Sequence, residues 1–313
     1  MVSIDEAYAI CRQIARREAK NFYYSFVALP KAKRDAICAV YAFMRHADDL
    51  SDDETKSLDQ RRIDLDAWMS AWHKASSGEA TDDPVFVALA DAQKRFRITS
   101  ELLDQLVQGT AMDLHPAHQR QRRGHEAVHA LRFDTYATFD DLYRYCYYVA
   151  SVVGLVCIRI FGYSDASAEK LAEETGIAFQ LTNILRDVRE DAERDRIYLP
   201  LEDLERFGVS TAEICNLKSG HHMTLNQREL LEFEAKRAND FYKSGYALLP
   251  LIDADSRPAL WVLISIYHRL LQHIESRGFD VFSERVSVPT STKLAILLRG
   301  MLGVTLNRLR GAR

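Results

Sequence analysis

Apolar residues along this chain recur at the three- and four-residue spacing of amphipathic helices. The pattern pauses at Leu29 and Pro30, so two helices are predicted to open the chain, and the acidic run after Leu50 ends the second of them. The predicted helical segments cover residues 4–28, 31–50, 138–161, 166–193, 229–278 and the tail from 290. This arrangement predicts an all-α fold.

Three segments interrupt the helical pattern. Residues 76–84 and 217–223 have the composition of exposed loops and are short for interdomain linkers, so we expect one domain over 1–313. Residues 115–134 are dense in His and Arg and contain Pro and Gly, which predicts a surface insertion. A metal site at its four histidines is a weaker interpretation than a solvated basic loop, because their spacing could place them on more than one face.

Composition supports a helical, soluble protein. Only 13 Gly and 7 Pro occur among 313 residues, and 47% hydrophobic residues suffice for a large core. The longest apolar stretch, 146–158, is bounded by Arg144 and Arg159 and is shorter than a membrane span, and charges at Asp5 and Glu6 argue against a secretory signal. Five dispersed cysteines indicate a reduced, cytoplasmic location, and the net charge of −4 argues against a nucleic-acid partner.

The segment YAFMRHADDLSDD places polar groups on one helical stripe. Tyr41, Arg45, Asp48 and Asp52 follow one another at steps of four, three and four residues. Apolar residues such as Phe43 flank this stripe, and carboxylates buried without partners are costly. The pattern therefore predicts a bound cation.

The segment QLTNILRDVREDAERDR repeats the arrangement on a second helix. Gln180, Asn183, Asp187 and Asp191 lie at steps of three, four and four residues, and Arg186 lies beside the carboxylates. Magnesium takes oxygen ligands and is commonly held by one or two carboxylates together with substrate phosphates. Solvated acidic helix faces are the alternative interpretation, but two such stripes together favour a Mg²⁺ site that binds diphosphate.

These motifs, together with NFYYSF, the following LP, YCYYVASVVG and NILRDVREDAERDRIYLP, resemble the squalene and phytoene synthase family in order and spacing over roughly residues 8–300. The resemblance implies a single-domain isoprenoid synthase fold with two Asp-rich helices across the mouth of a cavity. It implies that Mg²⁺ is bound by Asp48, Asp52, Asn183, Asp187 and Asp191. It implies that the diphosphates are held by Lys20, Tyr41, Arg45, Gln180, Arg186, Tyr267 and Arg285.

The same resemblance predicts the reaction centre and the substrate cavity. Tyr145 matches a tyrosine at the family's reaction centre, while Val149, Val153 and Gly154 would face the prenyl chains. The bulky side chains expected at the cavity floor, where they would set chain length, are Phe22, Phe26 and Phe179.

The reaction that the resemblance implies is the head-to-head joining of two isoprenyl diphosphates. The three phenylalanines favour two farnesyl diphosphates, giving presqualene diphosphate, squalene or dehydrosqualene, and the NFYYSF segment looks closest to bacterial hopanoid-pathway members. NADPH would be needed only if the reaction proceeds to squalene. Phytoene formation from two geranylgeranyl diphosphates is the alternative.

Other classes of protein remain as competing hypotheses. A helical module that binds metal without catalysis would share the acidic stripes, and a terpene cyclase or chain-elongating synthase would lack the YCYYVASVVG and NILRDVREDAERDRIYLP segments. The basic and apolar run from Thr290 favours a packed terminal helix, with a peripheral contact at the inner membrane face as the alternative. The sequence leaves monomer and homodimer open.

Overall fold

The computed structural model describes residues 2–114, 134–216 and 223–311, without the side chains of residues 20, 21, 113, 134 and 303–311. The predicted insertion at 115–134, apart from Asp134, and nearly all of the predicted loop at 217–223 lie outside this description.

The described chain is a bundle of helices, as its periodicity predicts. The helices are α1 (Ile4–Glu18), α2 (Lys20–Val27), α3 (Lys31–Asp52), α4 (Leu58–Ser76), α5 (Pro84–Phe96), α6 (Ser100–Ala111), α7 (Phe139–Cys146), α8 (Val152–Phe161), α9 (Ser167–Glu193), α10 (Leu201–Arg206), α11 (Thr211–Asn216), α12 (Leu225–Leu248), α13 (Arg257–Ser276) and α14 (Thr290–Gly311). Short 3₁₀ turns follow α6 at Met112–Leu114 and α12 at Leu249–Leu251. Two-residue strands β1 (Asp134–Thr135) and β2 (Arg196–Ile197) pair in parallel, with Asp134 opposite Arg196.

Local sequence signals account for several helix ends. Ser3 caps α1 and Thr138 caps α7, each with a reciprocal bond to the acidic side chain three residues later. The Asp83 side chain accepts a hydrogen bond from the Val85 amide at the start of α5. Pro84 occupies the first position of this helix, where the backbone amide has no partner within the helix and is not needed as a donor. These caps define where the helices begin through contacts that are local in sequence.

Helix α9 is the centre of the bundle. It packs along α12 and also contacts α8 and α13, while α3 packs on α1 and α5. Gly176 and Thr175 of α9 are buried along with its apolar face. The two helices that carry the acidic stripes, α3 and α9, are therefore both held firmly in the core.

A π-helical turn at Tyr147–Ser151 joins α7 to α8. Two glycines make room for it: a Cβ on Gly176 would lie 2.5 Å from the Ser151 Cα, and one on Gly109 would lie 2.6 Å from the Tyr148 carbonyl oxygen. The Ser151 hydroxyl donates to the Glu173 carbonyl oxygen at 2.6 Å. The turn is therefore clamped between α6 and α9.

The continuous helix over Phe139–Phe161 is long and apolar enough, by length and composition alone, to cross a membrane. A core helix of a bundle meets the same criteria, and this one packs against α6 and α9. Its apolar character serves contacts within the protein.

Two breaks depart from the sequence prediction. The opening segment forms α1 and α2, separated at Ala19, where the sequence predicts one helix. The predicted helix over 229–278 is likewise divided between Leu248 and Arg257. At the first break, the amide of Phe22 donates to the Ala19 carbonyl oxygen, a tight turn that lets α2 pack on α13. Tertiary packing decides this break, because no Pro or Gly marks it.

Candidate active site

An elongated cavity of about 340 Å³ lies between α2, α3, α8, α9 and α13. Twelve of the predicted site residues line it, and they are Phe22, Phe26, Tyr41, Arg45, Asp48, Val149, Val153, Gly154, Phe179, Gln180, Asn183 and Tyr267. Gly154 brings α8 close to α9, since a Cβ there would lie 3.0 Å from the Ala172 carbonyl oxygen. Residues that are far apart in sequence thus share one chamber.

The cavity has an apolar end and a polar end. Along α3 its lining runs from Ile37 to Asp48, and along α9 it runs from Ala172 to Asn183. Eleven residues of helix rise about 16 Å, which gives the approximate length of the chamber. A ligand with a long apolar chain and a charged head group would fit a cavity with one apolar end and one polar end.

The apolar end is closed by Phe161, Leu248 and Leu260, all buried. This differs from the floor that the sequence analysis assigns to the phenylalanines. Phe22 and Phe179 lie against Tyr267, with ring centroids 5.6 and 4.6 Å apart, towards the polar end. Helical periodicity shows which residues face inward, but the direction of each helix along the cavity comes from the tertiary structure.

Tyrosines border the polar end. Burial raises the pKa of Tyr41 to about 12 and that of Tyr267 to about 12, so both keep their hydroxyl proton at neutral pH. The nearby Arg186 guanidinium opposes the rise at Tyr267. Both hydroxyls can therefore act as hydrogen-bond donors to an anion.

At the C-terminal end of α3, the carboxylates differ in environment. Asp48 faces the cavity and accepts a hydrogen bond from the Thr110 hydroxyl at 3.1 Å. Burial raises the pKa of Asp48 to about 6, although this hydrogen bond opposes the rise. Arg45 pairs with the exposed Asp49 at 2.5 Å, and Asp52 is exposed at the helix end. No ion pair of Asp48 occurs among the described residues.

On α9, Asp187 is held by two arginines. Arg186 Nε donates to Asp187 Oδ1 at 2.7 Å, and Arg285 reaches the same carboxylate with Nε at 3.0 Å and Nη2 at 3.1 Å. Arg189 helps to position the segment that carries Arg285, because its Nη1 donates to the Phe282 carbonyl oxygen at 2.6 Å. Two guanidiniums thus converge on one carboxylate.

The model of the squalene/phytoene synthase family matches residues 15–292. The chain belongs to this family. A 15-cis-phytoene synthase of Synechococcus elongatus is 35% identical over 97% of this chain and 96% of its own length. A phytoene synthase of Mycobacterium tuberculosis is 35% identical over 92% of this chain and 88% of its own.

Solved structures of this family agree in fold. A dehydrosqualene synthase in complex with ligand superposes with a TM-score of 0.81 at 30% identity, over 96% of this chain and 98% of its own. The squalene synthase HpnC from Alicyclobacillus acidocaldarius gives a TM-score of 0.73 at 29% identity, over 88% of this chain and 95% of its own. The isoprenoid synthase fold is therefore confirmed, and the protein is an enzyme of the family that condenses isoprenyl diphosphates head to head.

The donor set on the two helices suits magnesium. Among the described residues, Asn183 Oδ1 is buried and has no hydrogen-bond partner, and Asp48 is desolvated at the same cavity. Burial also raises the pKa of Asp191 to about 7, and the nearby Asp187 carboxylate adds to the rise. Such oxygens would be stabilised by a divalent cation.

Within the described residues, no three His, Cys, Asp or Glu side chains are close enough together to hold a metal by themselves. Mg²⁺ commonly binds one or two carboxylates and completes its coordination with water and substrate phosphates. The buried oxygens of Asp48, Asn183 and Asp191 fit a magnesium site of this kind.

Tyr145 is buried but does not line the cavity. Its ring stacks on Tyr198 with centroids 5.0 Å apart, and its hydroxyl donates to the Tyr198 hydroxyl oxygen at 3.3 Å. Tyr136 packs on both rings. The predicted role of Tyr145 at the reaction centre stays a prediction. The same holds for the predicted role of Lys20, because its side chain lies outside the described residues.

Two residues that support the site are not predicted from the sequence. Thr110 bonds to Asp48 from α6, and Tyr198 packs on Tyr145 from the segment after β2. The position of Tyr198 in the RIYLP motif is a local signal that could have drawn attention to it. Thr110 has no such signal, because it meets Asp48 only across a helix interface.

Proposed function

We propose that this enzyme is a magnesium-dependent synthase that joins two geranylgeranyl diphosphates head to head to form phytoene. The relatives that match nearly the whole chain are named phytoene synthases. They favour the C20 substrate over the farnesyl diphosphate that the sequence analysis preferred. The single observation that carries the reaction type is the apolar cavity whose polar end is bordered by both acidic helices.

Arginines at the polar end would bind the diphosphate groups. Arg186 and Arg285 already converge on the Asp187 carboxylate, and Arg45 lines the cavity one helical turn from Asp49. Guanidinium groups bind phosphate oxygens through paired hydrogen bonds. Substrate would therefore occupy the position at which cationic charge is concentrated.

Mg²⁺, when held by Asp48, Asp52, Asn183, Asp187 and Asp191, would stabilise the negative charge that develops on the departing diphosphate. The hydroxyls of Tyr41 and Tyr267 would donate to the same group, since burial keeps both protonated. The apolar wall would exclude water from the allylic cation.

Condensation of two farnesyl diphosphates is the second candidate. The bulky side chains of Phe22, Phe26 and Phe179 line the cavity, and the dehydrosqualene synthase superposes with a TM-score of 0.81. The two candidates share the same polar end and differ only in the length of chain that the cavity accepts.

The test is to incubate purified enzyme with geranylgeranyl diphosphate or farnesyl diphosphate, and to identify products by mass spectrometry. Each substrate is assayed with Mg²⁺ or with EDTA, and with or without NADPH. We expect a C40 hydrocarbon and diphosphate that appear only with Mg²⁺ and do not require NADPH.

A C30 product from farnesyl diphosphate, with no C40 product, would favour the second candidate. Full activity in EDTA would contradict the magnesium proposal. No release of diphosphate from either substrate would contradict both candidates. Asp59→Asn, which removes an exposed carboxylate on α4, serves as a matched control for the carboxylate variants described below.

A further inference from the structure

A second concavity of about 360 Å³ lies on the outer surface between α13 and α14. Its wall combines the rings of Tyr246 and Trp261 with the guanidiniums of Arg269 and Arg299, and it contains no Asp or Glu among the described residues. We call this the α13/α14 groove. None of the residues that line this groove belongs to the site that the resemblance implies.

The two arginines of the groove have no carboxylate partner within the described residues. Arg269 donates to the Gln272 side-chain oxygen at 3.2 Å, and Arg299 lies over the Trp261 ring at 5.9 Å. Elsewhere in the molecule, arginines such as Arg186 and Arg237 are paired with carboxylates. The groove is thus a positively charged recess that is suited to phosphate oxygens.

Helix α14 presents an apolar row beside this groove. Leu294, Leu298, Met301 and Leu302 follow helical spacing and are 46%, 63%, 42% and 63% exposed. The opposite face of α14 is fixed to the bundle at Gly300, where a Cβ would lie 2.8 Å from Val262 Cγ2. The helix therefore packs on the bundle with the face opposite to this row.

We propose that the α13/α14 groove and the apolar row together form a docking surface for an anionic membrane. Lipid phosphates would bind Arg269 and Arg299, and the row would enter the boundary between headgroups and acyl chains. Charge complementarity decides the occupant, because the recess is cationic while the adjoining ridge is apolar.

The surface also lies close to the active-site cavity. Helix α13 separates the two, since its Leu260, Leu263 and Tyr267 line the cavity while Trp261 and Arg269 line the groove. Helix α14 also contacts α2, which carries cavity residues. Docking here would bring the membrane next to the chamber that holds the prenyl chains, whichever chain length it accepts.

The test is flotation of the full-length protein with vesicles of phosphatidylcholine alone or with about 30% phosphatidylglycerol. We expect binding to the anionic vesicles that weakens as salt is raised. The double variant Arg269→Gln/Arg299→Gln should lower the partition coefficient roughly ten- to thirty-fold, since each basic residue near such a surface contributes about a factor of five.

Leu298→Ser tests the apolar row separately and should lower partitioning roughly ten-fold at all salt concentrations. Its matched control is Ile63→Ser, at a 59% exposed position on α4. Lys74→Gln/Lys94→Gln is the matched charge control, because it removes two positive charges from exposed positions on α4 and α5. Both controls should bind vesicles as the unaltered protein does.

Equal losses in the groove and control variants would overturn the proposal, because they would indicate attraction by net charge alone. A dimer in sedimentation without lipid that is lost in Arg269→Gln/Arg299→Gln would also overturn it, since a second copy would then occupy the surface. Circular dichroism and diphosphate release in solution check that each variant is folded.

Discussion

Asp48 on α3 and Asp187 on α9 are in opposite electrostatic states. On α3, Asp48 is desolvated, has Thr110 as its hydrogen-bond partner and carries a pKa raised by burial to about 6. On α9, Asp187 is neutralised by Arg186 and Arg285. Among the described residues, Asp48 therefore has no ion-pair partner, whereas Asp187 is bound by two arginines.

This difference suggests different parts in binding a metal and diphosphate. The desolvated Asp48 would gain more from a divalent cation than Asp187, which is already bound by two arginines. At Asp187 a metal would instead release the arginines, which could then turn to diphosphate oxygens. Carboxylates from similar sequence motifs are thus stabilised to different extents before a metal binds.

The largest expected effect is on catalysis. Asp48→Asn and Asp187→Asn should each lower kcat at least about 10³-fold, equivalent to about 4 kcal/mol, because each removes a charged ligand of the proposed magnesium site. Steady-state release of diphosphate measures this. Asp59→Asn should retain full activity, and a comparable loss in that control would point to a general effect of surface charge.

In the metal-free enzyme, substitutions at Asp48 and at Asp187 should change the free energy of unfolding in opposite directions. The pKa of folded Asp48, about 6, lies above its ordinary 3.8, so the stability linked to this group is present below pH 4 and lost as pH rises through 6. Asp48→Asn should therefore stabilise the protein at pH 7.5, by about 1 to 3 kcal/mol. Asp187→Asn should destabilise it by a similar amount, because it leaves Arg186 without its carboxylate partner.

Urea unfolding in EDTA at pH 4.5 and 7.5 measures both effects. The advantage of Asp48→Asn should be small at pH 4.5 and grow towards pH 7.5. Asp49→Asn, at an exposed position of the same motif, should show no such growth. If Asp48→Asn and Asp187→Asn changed the free energy of unfolding equally at both pH values, the proposed difference between the two carboxylates would be wrong.

The smallest expected effect concerns the neutral partner of Asp48. Thr110→Val removes the hydroxyl that donates to this carboxylate and should lower kcat about ten-fold, or about 1.4 kcal/mol. It should also raise the Mg²⁺ concentration needed for half-maximal activity. Thr110→Ser keeps the hydroxyl and should restore both values, whereas a purely packing role for Thr110 would leave the Mg²⁺ requirement unchanged.

Much of this architecture could be predicted from the chain itself. Amphipathic periodicity fixed the helical class, because a period of 3.6 residues is imprinted by burial of one face. The spacing of Tyr41, Arg45 and Asp48 placed them on one stripe, and all three line the cavity. The order and spacing of the motifs that resemble the family led to the same conclusion as the family match.

Other features depend on contacts between distant segments. The break at Ala19, the π-helical turn at Tyr147–Ser151 and the hydrogen bond from Thr110 to Asp48 have no local signal, because partner helices impose them. The closed end of the cavity is formed by Phe161, Leu248 and Leu260, which meet only in the bundle.

By itself, then, the sequence determined which residues lie on each helical face and which functional groups those faces carry, since both follow from spacing along one chain. The tertiary structure decided which faces meet, which end of the chamber is polar and which carboxylate is neutralised by arginines. These properties depend on burial and on distances between segments far apart in sequence, and those are set only when the helices pack.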